Sequence, residues 1–451
     1  MSSELPARRD TGTLVRGWLD ALLAVVAGFL AMAVVAALGL WAAGADALPD
    51  GGFPSVVAAV VVMAAGGRID LAGQAGALAG TDAELTAMPL SVTLAGALVT
   101  GALFLRPLRH HAVAGGGELL GRVARTTVLW LAALLGVSAL ARHDFPVTAP
   151  AGDDPLTDIF GELLESTNPT VGFRTEYGPT LGQGLLWILG VLLVALLVAR
   201  AAPLPARAVR YHAAIRPAAS AMLLLILAYV VIGLVVGLVV AATRGHAAET
   251  FAVILLGLPN VSWLALGTGI GGAWTGKVDG PFGLPMPQIL DQVLRGRQTT
   301  TLDVATLAEQ DPRAWWLIPV AAVLLLGAAF VMATRSPAGV PLWRHAVHGG
   351  VAFALTMLAV APLTDVAARF GLSVLGIGDI DAFGGEVLLD PHVWAMAGLG
   401  LGWGLIAGFL GGLLAMRVKR HGEVSEPKGP EGREPEGSVP KRPGPEGPAR
   451  P

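Results

Sequence analysis

The polar side chains best placed to bind a ligand are those of Asn260 and Ser262, which follow Pro259 within the apolar stretch 251–274. Proline removes a backbone hydrogen bond from a helix and leaves a carbonyl group free. In many transporters, unwound backbone near the middle of the bilayer binds the solute or ion. Asn260 and Ser262 are therefore candidate contacts for a solute or ion. The alternative is a kinked helix whose polar groups are paired within the protein.

The chain offers little catalytic or metal-binding chemistry. It contains no cysteine, which excludes disulfides, thiolate metal sites and cysteine nucleophiles. Gly376-Ile-Gly-Asp379 matches a pattern of intramembrane aspartyl proteases, which need two facing carboxylates. The candidate partner, Asp365, ends an apolar run, so a glycine-rich turn is the better interpretation. We predict no catalytic residue, no metal site, no cofactor and no enzymatic activity.

Few ionisable side chains lie inside the apolar runs. Four histidines with basic neighbours are expected to be solvated at the membrane interface: His110, His111, His345 and His348. Asp20, near the inner end of the first run, is the main acidic exception. Proton-coupled carriers usually keep an ionisable group within the membrane, so this scarcity argues against a proton-driven carrier. It leaves a facilitator, a channel or a lipid-handling protein open.

Small residues form a stripe along the last apolar run. The stripe consists of Gly400, Gly404, Gly408 and Gly412. A spacing of four places these glycines on one helix face, where another backbone can approach closely. Gly233 and Gly237 repeat the spacing once in an earlier run. We predict packing against a helix of the same chain, with homo-oligomerisation as the alternative.

Long apolar runs position these residues. The 451-residue chain is 54% apolar and 14% charged, whereas a soluble domain carries about 25% charged residues. An apolar helix of about 20 residues spans the bilayer, and the need to pair backbone groups in lipid favours a helix bundle. We predict an all-α polytopic bundle of about eight full spans, at residues 18–41, 88–105, 123–141, 181–199, 217–242, 315–333, 346–363 and 393–416.

Arginines gather in alternate gaps between the runs, which indicates an orientation because lysine and arginine are retained on the cytoplasmic side. Both termini are then cytoplasmic. Two apolar stretches remain, residues 53–67, which include Pro54, and residues 251–274. The flanking spans require each stretch to begin and end on the outer face. We therefore predict two broken or re-entrant segments, which bring the total to ten membrane segments.

The two halves of the chain share one plan. Residues 17–210 and 211–420 each contain a span, a broken segment and three further spans. This order predicts a parallel internal duplication about an axis along the membrane normal. Chance likeness among membrane helices is the alternative.

The remaining segments are polar. Residues 1–16 form a cytoplasmic N-terminus, and residues 421–451, rich in proline, glycine and glutamate, form a disordered cytoplasmic tail. An amphipathic helix is predicted at 156–164 in the outer loop. A second is predicted at 300–310, with Thr300 and Asp303 in a capping box.

Several stretches carry a resemblance to a known family. They are Met88-Pro-Leu-Ser-Val-Thr-Leu-Ala-Gly-Ala-Leu98, Val171-Gly-Phe173, Arg216-Pro-Ala-Ala-Ser-Ala221, Gly257-Leu-Pro-Asn-Val-Ser-Trp263 and the segment from Thr301 to Trp315. Through them, and more loosely over residues 15–415, the chain resembles the streptophobe family of multi-pass actinobacterial membrane proteins. The resemblance implies the architecture and no activity, cofactor or catalytic residue. The acidic loop 142–180 differs from the glycine-rich loop that such proteins often carry there.

These observations predict a multi-pass protein of the bacterial plasma membrane that acts as a scaffold or accessory protein of the cell envelope. Its expected partners are the lipid bilayer and either a second copy or an envelope protein, with no nucleic acid. The alternative is a transporter or channel whose site lies at the broken segments around Pro54 and Pro259-Asn260. The sequence gives no substrate, oligomeric state or physiological role.

Overall fold

The computed structural model describes residues 11–75, 79–107, 116–146, 170–199, 206–279, 288–295, 298–337, 339–374 and 385–417. Its helices are α1 (Thr11–Ala42), α2 (Phe53–Ala64), α3 (Leu90–Leu105), α4 (Gly116–Leu140), α5 (Tyr177–Val198), α6 (Ala206–Thr243), α7 (Ala247–Gly269), α8 (Gln288–Leu294), α9 (Val304–Gln310), α10 (Leu317–Arg335), α11 (Leu342–Val360) and α12 (Val393–Met416). Its strands are β1 (Ile69–Ala75), β2 (Ala79–Ala87), β3 (His143–Pro146), β4 (Thr170–Thr175), β5 (Trp274–Asp279), β6 (Thr300–Leu302), β7 (Val366–Val374) and β8 (Gly385–Pro391).

The described residues form a helical bundle, as predicted. Eight of the described helices are long and apolar enough to cross a membrane by length and composition: α1, α4, α5, α6, α7, α10, α11 and α12. The predicted span at 88–105 is different, because only the 16 residues of α3 are helical there. Conversely, α7 is a continuous 23-residue helix that contains Pro259, so the prediction of a broken segment at this position is wrong.

An eight-stranded antiparallel sheet joins the connections between the long helices, and the sequence analysis did not predict it. The strand order is β3-β4-β1-β2-β7-β8-β5-β6. In β5, residues 274, 276 and 278 are buried and the residues between them are partly exposed, as a strand covered on one face requires. The sheet therefore closes one end of the bundle with backbone groups that are paired among the strands.

The order of elements in the sheet repeats along the chain. In the first half, hairpin β1-β2 precedes α3 and hairpin β3-β4 joins α4 to α5. In the second half, β5 and β6 precede α10, and hairpin β7-β8 joins α11 to α12. The first four strands in the sheet, β3-β4-β1-β2, thus have the same relative order as the last four, β7-β8-β5-β6. The two sets meet at β2 and β7, whose antiparallel register runs from Ala79↔Val374 to Ala87↔Val366.

Two separate hydrophobic cores follow the same division. One consists of buried residues between Val25 and Leu192, and the other of buried residues between Ala218 and Ala407. A third, small cluster lies between them, formed by Leu90 of α3, Trp263 of α7 and Val360 of α11. The contact between the halves is therefore apolar at this point.

The two short or irregular segments lie at the sheet end of the bundle. Gly52, before α2, lies beside Phe145 of β3, and Gly67, after α2, lies beside Thr180 of α5. In α7, Leu256 packs on Gly39 near the end of α1. Gly269, at the other end of α7, packs on Leu317 at the start of α10. Both segments thus contact helix ends on the side of the bundle that carries the sheet.

Details of the smaller elements differ from the predictions. The helix predicted at 300–310 is shorter: Thr300 lies in β6, and α9 begins at Val304. Its capping box pairs Asp303 with Thr306, because the Asp303 carboxylate accepts from the Thr306 amide at 2.9 Å. Thr300 is therefore not part of the cap. The predicted helix at 156–164, the Gly376–Asp379 motif, His110, His111 and the tail 421–451 lie outside the described residues.

The register between β2 and β7 can be tested with a disulfide, since the chain has no cysteine of its own. Thr86 and Ala367 are register partners, and antiparallel partners have Cα atoms about 4.5–5.5 Å apart, within the range that a disulfide bridges. We expect a Thr86→Cys/Ala367→Cys variant to form an intramolecular disulfide under mild oxidation, measured as the mass of the alkylated protein. A Thr86→Cys/Ala368→Cys control should stay reduced, because neighbouring strand residues face opposite sides. Equal oxidation of both variants would contradict this register.

Candidate functional site

The turn before Pro259 is held by a side chain from another helix. Ser91 of α3 donates its hydroxyl to the carbonyl oxygen of Ile254 at 2.8 Å and accepts from the amide of Leu258 at 3.1 Å. Both backbone groups belong to α7, in the turn that the proline ring disturbs. The predicted unwinding does not occur, since α7 stays helical through Pro259 and Ser91 bonds two backbone groups in the turn just before it.

Asn260 makes the reciprocal contact. Its amide nitrogen donates to the carbonyl oxygen of Met88 at 2.9 Å, and its Oδ1 accepts from the amide of Leu90 at 3.1 Å. Leu90 is the first residue of α3, where backbone amides have no partner within the helix. Pro89, just before it, supplies no side-chain cap. Asn260 thus caps α3 from α7 and uses both ends of its amide in doing so.

Ser262 takes no part in the contact between α7 and α3. It is buried and packs against Gly233 of α6. Its hydroxyl has no hydrogen-bond partner among the described residues. The next residue, Trp263, donates its indole N–H to the carbonyl of Ile226 on α6 at 3.2 Å. The structure therefore does not bring Asn260 and Ser262 into one site: Asn260 faces α3 and Ser262 faces α6.

Sequence reasoning found Asn260 through its neighbour Pro259 but missed Ser91, which lies 163 residues from Ile254 along the chain. Ser91 stands in a run of small and apolar residues and carries no signal of its own. At the other predicted break, Pro54 is in the first turn of α2. Proline is favoured there because its missing amide would be unpaired in any case. Pro54 therefore begins a helix and does not interrupt one.

The glycine stripe of α12 lies against α11. A Cβ atom on Gly404 would stand 2.5 Å from the carbonyl oxygen of Gly349, and one on Gly400 would stand 3.0 Å from Met357. Gly408 and Gly412 face the next turns of α11 at His345. On its other side, Gly411 approaches the backbone of Ala329 in α10. The glycines thus let α12 pack between two helices at backbone distance. Gly233 and Gly237 similarly face Leu258 and Ile254 of α7.

The positions of the ionisable residues differ in part from the expectation. His345 is 0% exposed beneath the glycine stripe, so the prediction that it is solvated at the interface is wrong. The close approach of α12 excludes solvent from that face of α11. His348 is partly exposed, as is Asp20 near the start of α1. Among the described residues, no group of three or more histidine, aspartate or glutamate side chains is placed to hold a metal ion.

Charges at the sheet end are partly paired. Lys277 of β5 forms ion pairs with Glu386 of β8 at 3.2 Å and with Asp279 at 3.6 Å. Asp365, just before β7, has its pKa raised by partial burial and by the nearby negative charge of Asp390. A raised pKa means that this carboxyl contributes stability at low pH that is lost as the pH rises through its folded-state value.

Comparisons with protein-family models, with curated proteins and with solved structures found no match to this chain. Its function is therefore inferred from its own geometry.

The contact between Ser91 and α7 predicts a specific loss of stability. Ser91→Ala removes the hydrogen bonds to the Ile254 carbonyl and the Leu258 amide, which can still bond each other within α7, so the loss is about 1 kcal/mol. We expect a lower unfolding temperature for the variant in detergent. The control is Ser336→Ala, since the Ser336 hydroxyl bonds only the Met332 carbonyl of its own helix. Equal unfolding temperatures for the two variants would remove the role assigned to Ser91.

Two glycine substitutions within α12 are expected to change the thermal stability in opposite directions. Gly404→Ala places a methyl group 2.5 Å from the Gly349 oxygen, and such overpacking costs about 1–3 kcal/mol. The methyl group added by Gly402→Ala would point into open space, and the substitution gains about 1 kcal/mol of helix propensity. Thermal unfolding should therefore occur earlier in the first variant and later, or unchanged, in the second. A destabilised Gly402→Ala protein would show that helix α12 is sensitive to any added methyl group.

Proposed function

We propose that the protein is a multi-pass protein of the bacterial plasma membrane that acts as a rigid scaffold or accessory protein of the cell envelope. In this proposal both termini are cytoplasmic and the sheet lies on the outer face of the membrane. The apolar helices of membrane length and the arginines at the helix ends away from the sheet support this placement. We also propose that the chain belongs to the streptophobe family, which its sequence resembles.

The ladder between β2 and β7 is the observation that carries the scaffold proposal. Nine register pairs join the two sets of strands, each of which belongs to one half of the chain. Many transporters built from two repeats work by rocking one repeat against the other. Such movement would have to break a ladder whose hydrogen bonds each contribute about 1 kcal/mol. The ladder therefore favours halves that keep one fixed arrangement.

The contact between the halves gives further support. Leu90, Trp263 and Val360 are buried together there, and Met88 and Leu363 pack against them. Asn260, the best candidate for a solute contact, is already paired with the backbone of α3. A solute path between the halves would need polar or hydrated surface at this depth. We therefore favour the scaffold function over a transporter or channel function.

The repeated order of elements supports an internal duplication, which we propose as the origin of the two halves. A helix, a short or proline-containing helix, two strands, two helices, two strands and a helix occur once in α1–α5 and again in α6–α12, with α8 and α9 inserted. A duplicated ancestor explains why the two sets of four strands have the same order. It also explains one hydrophobic core in each half.

The membrane placement predicts which introduced cysteines react in intact cells. We expect a membrane-impermeant maleimide to label Arg68→Cys, Arg244→Cys and Gln298→Cys, which lie before β1, before α7 and after β5, all at exposed positions. Arg344→Cys, at the opposite end of the bundle, should react only after lysis. Protection of Gln298→Cys with labelling of Arg244→Cys would mean that α7 crosses the membrane, and would overturn the placement of the sheet on one side.

If the protein is a scaffold, a disulfide that links its two halves should leave its function in the cell intact. In a deletion strain, the Thr86→Cys/Ala367→Cys variant should restore normal growth and envelope integrity as well in its oxidised form as in its reduced form. The Asn260→Leu variant should do the same if it accumulates to the normal level. Restoration that is lost only on oxidation would show that the halves must move, and would favour the transporter or channel.

A further inference from the structure

A polar cavity lies between the end of α4, the start of α5 and the strands β3 and β4. Its volume is about 500 Å³, and its lining includes Ser138, Arg142, His143, Asp144, Arg174 and Tyr177. These residues were predicted only as parts of a span and of an outer loop. The proposed scaffold function does not use them.

The cavity has an excess of positive charge. Arg142 and Arg174 face one carboxylate, that of Asp144, among the lining residues. No ion pair within the described residues includes either arginine, although Asp70 is the register partner of Arg174. Guanidinium groups match oxyanions geometrically and can donate two parallel hydrogen bonds. The lining therefore favours an anionic ligand.

The register of the hairpin brings the two arginines together. His143 pairs with Phe173, so the same register continued by one residue places Arg142 opposite Arg174. Like charges on opposite strand positions are destabilising. A bound anion between the two guanidinium groups would remove the repulsion.

Uncharged hydrogen-bonding groups complete the cavity. Ser138 is 2% exposed, and its hydroxyl has no partner among the described residues. The Nε2 atom of His143 is also buried without a partner among them. By contrast, Thr175 already donates its hydroxyl to the carbonyl of Ala141 at 3.3 Å. The His143 ring packs against Phe145 and Gly52, away from Arg142. Buried polar atoms in native proteins are usually paired, so the Ser138 hydroxyl is the neutral group that a ligand would complete.

The surroundings of the cavity place it at the level of lipid headgroups. Leu135 and Leu140 of α4 are 41% and 66% exposed, and Tyr177 at the start of α5 is 47% exposed. Exposed leucines on membrane helices face lipid, and tyrosine is enriched at the interface. This step rests on the membrane placement proposed above.

We propose that this cavity binds a phosphate-type oxyanion, carried by a phospholipid headgroup or free as inorganic phosphate. The two arginines hold the charge, and the Ser138 hydroxyl adds a neutral donor.

Binding of two probes to the purified full-length protein in detergent tests this site. The first probe is inorganic phosphate, measured by calorimetry. The second is phosphatidylglycerol, measured by native mass spectrometry against diacylglycerol with the same acyl chains. We expect the wild-type protein to prefer the phosphate-bearing lipid, or to bind inorganic phosphate, with at least about tenfold weaker binding after Arg142→Gln/Arg174→Gln. Ser138→Ala should give a smaller loss. Preference for the lipid alone identifies the headgroup, and binding of both probes identifies the free anion as sufficient.

Arg244→Gln is the matched control, because Arg244 is an exposed arginine in the loop before α7, far along the chain from the cavity. It should bind both probes as the wild type does. The proposal would be overturned if the wild type bound neither probe, if the double variant bound as tightly as the wild type every probe that the wild type binds, or if the control lost binding equally. The phosphate arm needs no bilayer, so its result is independent of the cysteine-labelling test of membrane placement.

Discussion

Pairing of backbone groups in an apolar environment is the constraint on which the rest of the structure depends. A buried amide or carbonyl without a partner costs several kcal/mol in a medium that supplies no water. α3 and α7 meet this constraint for each other: Ser91 pairs the α7 backbone before Pro259, and Asn260 caps the first turn of α3. Because α3 belongs to one half of the chain and α7 to the other, this exchange also fixes how the halves meet.

The same constraint explains the sheet. The connections that carry the strands are long, for example residues 141–176 between α4 and α5 and residues 361–392 between α11 and α12. Pairing them as strands satisfies their amides and carbonyls without a larger core. The central strands β2 and β7 come from different halves of the chain, so their pairing joins the two halves. The edges of the sheet are the short strands β3 and β6, and short edge strands limit pairing with other chains. The sheet thus binds the bundle together at one end.

The sequence allowed the long helices to be predicted because each is determined by its own apolar residues, as in α1, α10 and α12. At α3 the predicted span and the helix differ by two residues at the start, whereas the break predicted in α7 is wrong. Both helices have partners distant in the chain: Asn260 caps α3 at Leu90, and Ser91 bonds the α7 backbone before Pro259. The sheet was missed for the same reason, since its register joins residues as far apart as Ala79 and Val374. The polar cavity was missed because only the β3–β4 register brings Arg142 towards Arg174.

The two hairpins that join long helices resolve one electrostatic problem in opposite ways. At the base of β3-β4 the register brings together Arg142 and Arg174, and at the base of β7-β8 it brings together Asp365 and Asp390, next to the pair Val366↔Leu389. The pKa of Asp365 is raised first by its partial burial and second by the negative charge of Asp390, so protonation of Asp365 relieves that repulsion. For the arginines, the proposed anion would relieve the repulsion by lying between the two guanidinium groups. If the hairpins descend from one ancestral unit, they have diverged into one base with two carboxyl groups and one with two guanidinium groups, and in our proposal the second of these binds the anion.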